Sequence, residues 1–193
     1  MDPITHGLLG ATTAQLGFRQ RLGPSAAWLA AGTAMLADVD AVGIAAIRAW
    51  RPGTDGFALL QFQRGITHSL LAAPVFALVV VLPWWWRRRQ SHLEQESRAE
   101  PVFDRVSHPE AAVQPPPART RPPSLVLMYA CLLVAAVSHP LLDACNSYGV
   151  QLLAPVFSRR FALSALPIID VILGGLLALA LLLCHLARQR GIP

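Results

Sequence analysis

Apolar residues run almost unbroken through four stretches of the chain: about Pro24 to Val42, Ile66 to Trp86, Ser124 to Leu142 and Leu166 to Ala187. A helix rises about 1.5 Å per residue, so roughly 20 apolar residues cross the ~30 Å hydrocarbon core of a bilayer. Each stretch approaches or reaches that length. A shorter run, Ile4 to Phe18, predicts a fifth helix that is tilted or shallow. The pattern breaks between Trp86 and Ser124. Residues 87–123 hold all four glutamates, seven arginines and seven prolines. Such a segment buries too little apolar surface to offset its ordering entropy, which predicts a disordered linker. No internal repeat is evident. The N-terminus lacks the basic region of a signal peptide, since Asp2 precedes the first apolar run.

Composition sharpens this reading. Of 193 residues, 54% are hydrophobic and 14% charged, against about 25% charged in an average soluble domain. That balance argues against a soluble cytosolic enzyme and against a disordered chain. The expected fold is all-α: a multi-pass membrane bundle of about five helices, one domain over 1–193 interrupted by the 87–123 linker. The formal charge is +5, carried by arginine without lysine. These arginines flank apolar runs and form no basic face, so nucleic acid is not an expected partner; membrane lipid is. Cys131, Cys145 and Cys184 are scattered without a CxxC, which indicates neither a disulfide framework nor a thiolate zinc site.

Arginine bias sets an orientation. Arg19, Arg21, Arg87, Arg88, Arg89, Arg98, Arg105, Arg119, Arg121, Arg188 and Arg190 fall on one side; Arg48, Arg51, Arg64, Arg159 and Arg160 fall on the other. The richer side is expected to be cytoplasmic, with the linker and C-terminus there and the N-terminus outside. Trp84, Trp85 and Trp86 read as an interfacial anchor.

On that topology the polar residues share the outer end. His6 opens the first helix, Asp38 and Asp40 lie near the end of the second, and His68 opens the third. His139 and Asp143 close the fourth, followed by Asn146, Ser147 and Tyr148, and Asp170 begins the fifth. Ionisable groups at membrane depth cost about 2.5–3.5 kcal/mol each on insertion scales, and crowded carboxylates repel. A divalent cation removes both penalties. Histidine with aspartate suits zinc, with manganese or iron as alternatives, better than calcium or magnesium. His139 and Asp143 are four apart and share a helical face. Asp38 and Asp40 are two apart and cannot, so that pair is expected where its helix frays. Seven candidates leave room for one or two ions, or for carboxylates that orient the imidazoles. Each residue also has a plainer role open to it: His6 at an interface, Asp38, Asp40 or Asp143 ending a helix, and Asp170 paired with Arg64 or Arg160. His92, His108 and His185 lie away from this end.

The runs Met1-Asp-Pro-Ile-Thr-His6, Ala37-Asp-Val-Asp40, Arg64-Gly-Ile-Thr-His-Ser69 and His139-Pro-Leu-Leu-Asp143 with Asn146-Ser-Tyr-Gly149 resemble the YdjM-like family of predicted inner-membrane, metal-dependent hydrolases. The resemblance covers both halves of the chain and omits the linker. It implies a metal centre of His68, Asp38, Asp40, His139 and Asp143, with His6 and Asp170 nearby. This chain carries Gln63 and Ala37 where the family often has histidine and proline. The implied chemistry is metal-assisted attack of water on an ester, phosphoester or amide of an amphipathic, lipid-like substrate. Asp40 or Asp143 would act as base and Arg64 would stabilise developing negative charge. A transporter component is the alternative, although its coupling residues would be expected nearer the bilayer midplane. A non-catalytic scaffold is a third. Substrate and oligomeric state are left open by the residues.

Overall fold

The computed structural model describes residues 2–51, 53, 65–99, 124–167 and 169–191. Regular structure among them is helical: α1 (Pro3–Ala14), α2 (Phe18–Leu22), α3 (Ser25–Met35), α4 (Val39–Trp50), α5 (Ala73–Ala99), α6 (Leu125–Ala144) and α7 (Val171–Gln189). Short 3₁₀ turns, Leu36–Asp38 and Ile66–His68, precede α4 and α5. Residues between α6 and α7 are irregular apart from two isolated β-bridges. The all-helical membrane architecture is as the apolar pattern predicts. Three rods are long and apolar enough to cross a membrane: Ser25–Trp50, which joins α3 to α4, then α6 and α7.

Several boundaries differ from the sequence reading. The stretch from Ile66 is not one helix, because α5 begins only at Ala73. Pro74 explains this: it has no N–H to donate and fits only the first helical turn. Ser69 supports the start, its hydroxyl accepting from Ala72 N at 3.2 Å. The apolar part of α5, Ala73 to Trp86, therefore covers about 21 Å, short of a full crossing. At the other end α5 continues to Ala99, into the segment expected to be a linker. Arginine, glutamine and glutamate there are strong helix formers, and they carry the helix on past the tryptophans. Residues 100–123 of that expectation lie outside the described residues. The rod from Ser25 likewise runs to Trp50 and does not end near Val42.

The helices meet through small side chains. Ala26, Ala30 and Ala34 of α3 are fully buried, together with Ala14 of α1, Ala77 of α5 and Cys131 and Ala135 of α6. In lipid there is little hydrophobic gain from helix contact, so close van der Waals approach carries the packing. Gly10 marks the tightest point: a Cβ there would sit 2.5 Å from the Ala30 carbonyl oxygen and 2.7 Å from Ala34 Cβ. No residue of α7 is buried, and Val171, Ile172 and Leu176 are exposed as a lipid-facing surface requires. Arg188 Nη2 donates to Gln15 Oε1 at 2.8 Å, tying the end of α7 to the end of α1.

Candidate metal centre

Four elements deliver polar side chains to one end of the bundle. Asp2 caps α1, its carboxylate accepting from Thr5 N at 2.9 Å and from the Thr5 hydroxyl at 2.6 Å. With Pro3 at the first helical position, this starts the helix so that His6 enters the core within one turn. The rod of α3 tightens into the 3₁₀ turn that ends at Asp38, and Asp40 falls in the first turn of α4, where a negative charge suits the helix dipole. That change of winding lets two carboxylates only two apart serve the same neighbour. His68 lies between them, its Nε2 3.5 Å from Asp38 Oδ1 and its Nδ1 3.4 Å from Asp40 Oδ2. The pair was expected at a frayed helix end; it lies instead at a tightened turn inside a continuing rod.

Asp143, on the last turn of α6, joins all three imidazoles. Its Oδ1 is 3.3 Å from His6 Nε2, and its Oδ2 is 3.6 Å from His68 Nε2 and 3.7 Å from His139 Nε2. His139 Nε2 is also 3.8 Å from Asp38 Oδ1. The His6 and His139 rings stack with centroids 3.7 Å apart, and His68 meets His139 edge-on at 4.7 Å. His6, His68, His139 and Asp143 are each 0–1% exposed.

Hydrogen bonds select which nitrogen of His139 and of His68 faces the centre. His139 Nδ1 lies 2.6 Å from the Ala34 carbonyl oxygen, which can only accept, so Nδ1 carries the proton and Nε2 keeps a lone pair. That carbonyl is in the last turn of α3, where helical acceptors lose their ordinary partners. The Thr67 hydroxyl spends its one proton on Asp40 Oδ2 at 2.8 Å, and its oxygen lies 3.0 Å from His68 Nδ1. Nδ1 is then the donor, and Nε2 again turns inward. Asn146 is completely buried; its Oδ1 accepts from Tyr148 N and Gly149 N, so its amide nitrogen must face Asp143 Oδ1, at 3.2 Å.

These donors fit a divalent metal. Ligand atoms of His6, His139 and Asp143 lie within 4.8 Å of one another, as do those of Asp38, His68 and His139. Neither nitrogen of His6 has a hydrogen-bond partner, nor does His139 Nε2, although all are buried. Leaving such groups unsatisfied costs about 1–3 kcal/mol each, and native interiors rarely do so. A cation that accepts a lone pair removes that cost at each ligating nitrogen, and a nitrogen–oxygen donor set is the kind zinc, manganese and iron(II) take. His139 belongs to both groups but offers one free nitrogen, so it can ligate one ion only.

Asp40 and Asp170 join neither group. Asp40 faces His68 Nδ1 at 3.4 Å, and Asp170 Oδ1 accepts from Leu173 N at 2.9 Å and caps α7. An aspartate just before an apolar helix satisfies the first-turn N–H groups locally. Arg64 and Gln63 lie outside the described residues, as does His108. His185 sits toward the far end of α7, its Nε2 3.0 Å from Gln189 Nε2. Thr67 and Asn146 were read only as parts of motifs, yet they orient His68 and Asp143. Thr67→Val, which keeps shape and removes the hydroxyl, is expected to weaken metal affinity about 10–100-fold in a chelator competition.

Burial disfavours charge on His68, but the facing carboxylates of Asp38 and Asp40 outweigh it and raise its pKa above the ordinary imidazole value. A proton on Nε2 must leave before that nitrogen can ligate. Metal affinity is therefore expected to rise with pH, by about tenfold per unit below the His68 pKa, and to level off above it. Isothermal titration across pH 5.5 to 8.5 measures the slope.

No curated protein and no solved structure matches this chain significantly. The model of the YdjM inner membrane protein family matches residues 1–192, essentially its full length, and the chain belongs to that family.

Proposed function

We propose that this membrane protein is a metal-dependent hydrolase acting on an amphipathic substrate, with its centre formed by His6, Asp38, His68, His139 and Asp143. The observation that carries this reading is the convergence of three buried imidazoles, two of them with their tautomers set by hydrogen bonds, on the Asp143 carboxylate. When bound, a divalent ion supplies a Lewis acid and lowers the pKa of a coordinated water.

The chain's own residues divide the remaining work. His6, His139 and Asp143 form the closed floor. Asp38 and Asp40 are 19% and 14% exposed, so the mouth opens on their side. Asp40, held by Thr67, is the base: it orients water at the mouth and receives its proton. Asp143 serves as ligand and not as base, since all three imidazoles crowd it. Arg64, as the sequence reading has it, would meet the developing negative charge.

Depth argues for the substrate class. From Ser25 to Asp38, and from Leu125 to His139, each rod advances about 20 Å, which supports a centre toward one face of a ~30 Å core. A lipid-like molecule would enter sideways, with its scissile ester, phosphoester or amide near the headgroup level. Arginine bias favours the extracytoplasmic face. The test is hydrolysis of amphipathic ester, phosphoester and amide substrates by detergent-purified protein with zinc, manganese or iron(II) added. Turnover abolished by chelation is expected, with Asp40→Asn lowering kcat by about 10²–10⁴ while the ion is retained. Turnover indifferent to both would contradict the assignment.

A further inference from the structure

The opposite end of the bundle holds a second polar feature. The chain directions place Ser25 at the start of α3 and Trp84 to Ser91 on α5 together there, away from His68 and Asp38. Between α3 and α5 lies a cleft of about 560 Å³, lined by Ser25, Leu29, Trp84, Arg87, Arg88 and Ser91. Two of its lining groups have buried polar atoms without a hydrogen-bond partner, Ser25 Oγ and Trp84 Nε1. Arg88 lies over the Trp84 ring with its Cζ 6.0 Å from the centroid. Among the described residues no carboxylate pairs with Arg87 or Arg88. Helix α3 begins here with Pro24 as a cap that makes no side-chain hydrogen bond.

Two guanidinium groups, an indole N–H, a hydroxyl and the positive end of an 11-residue helix all offer hydrogen or positive charge. Among the described residues no carboxylate lines the cleft. The complementary ligand is an anion with several acceptor oxygens, and arginine forks match a phosphate best. Beside the cleft, Val79, Leu82 and Trp86 are exposed on the membrane-facing surface of α5, where acyl chains would lie. We propose that this cleft binds a phosphate group, carried by an anionic phospholipid at the arginine-rich membrane face. The site is separate from the metal centre and does not depend on it.

The test titrates the full chain in detergent with short-chain phosphatidylglycerol, the matching diacylglycerol and inorganic phosphate, and reads tryptophan fluorescence. Saturable binding of the phosphatidylglycerol is expected, weakened at least tenfold in Arg87→Gln/Arg88→Gln. Diacylglycerol should give no saturable change. Trp84→Phe removes the N–H and part of the indole but keeps an aromatic ring; retained helical circular dichroism with weaker binding by equilibrium dialysis would support the site even where the double variant fails to fold. Equal binding by inorganic phosphate would keep the phosphate site but make its source a soluble ion. Diacylglycerol binding as tightly as phosphatidylglycerol, or undiminished binding by both variants, would overturn the proposal.

Discussion

Replacing Asp143 with alanine is expected to empty the centre, lowering metal affinity by more than 100-fold. Among the described residues no other carboxylate approaches all three imidazoles; its oxygens lie 3.3–3.7 Å from His6, His68 and His139. Without it the three rings retain no common anionic ligand, and a cation among them loses both charge balance and an oxygen donor. Asn146 also loses the acceptor of its amide, so the loop after α6 loosens. Asp143→Asn separates the two effects: it keeps an oxygen and the volume and removes the charge, and should bind metal with intermediate affinity. Elemental analysis after purification, with circular dichroism as a folding check, reads the result. An alanine variant that keeps the full metal load would remove Asp143 from the centre.

Gly10→Ala is expected to be the most damaging methyl addition in the described helices. The new Cβ would approach the Ala30 carbonyl oxygen to 2.5 Å and Ala34 Cβ to 2.7 Å, contacts that backbone cannot accommodate without moving α1 away from α3. Overpacking of this kind costs about 1–3 kcal/mol. Here it also reaches the site, because α1 carries His6 and the carbonyl of Ala34 holds His139. The expected result is a lower thermal midpoint in detergent together with weakened metal binding. Gly32→Ala is the control: a Cβ there meets nothing within 4 Å, and its stability should stay within about 0.5 kcal/mol of the parent. Equal behaviour of the two variants would show that α1 and α3 do not meet as described.

Much of the buried His/Asp cluster is legible in the sequence. His6, Asp38, Asp40, His68, His139 and Asp143 stand out because polar groups at the ends of apolar helices are costly and need a shared reason. Asp170 reads as one of them in sequence, while in the structure its carboxylate caps α7; a cap and a ligand look alike until local geometry is seen. The groups that fix the ring tautomers were harder to see. Thr67 is an ordinary residue in a turn, and the Ala34 carbonyl has no sequence signature, because any residue supplies one. Pro74 did mark where α5 begins, but the apolar run around it hid the break. The extension of α5 to Ala99 reflects helix-forming charged residues that read equally well as a solvated linker.

The most direct measurement is the metal content of the full chain purified in detergent at neutral pH, supplemented by titration with zinc, manganese and iron(II). At least one equivalent of a transition-metal ion per chain is expected, with X-ray absorption reporting imidazole and oxygen ligands and no sulfur. A chain that retains none and takes up none when the ions are supplied would contradict a metal centre at these residues.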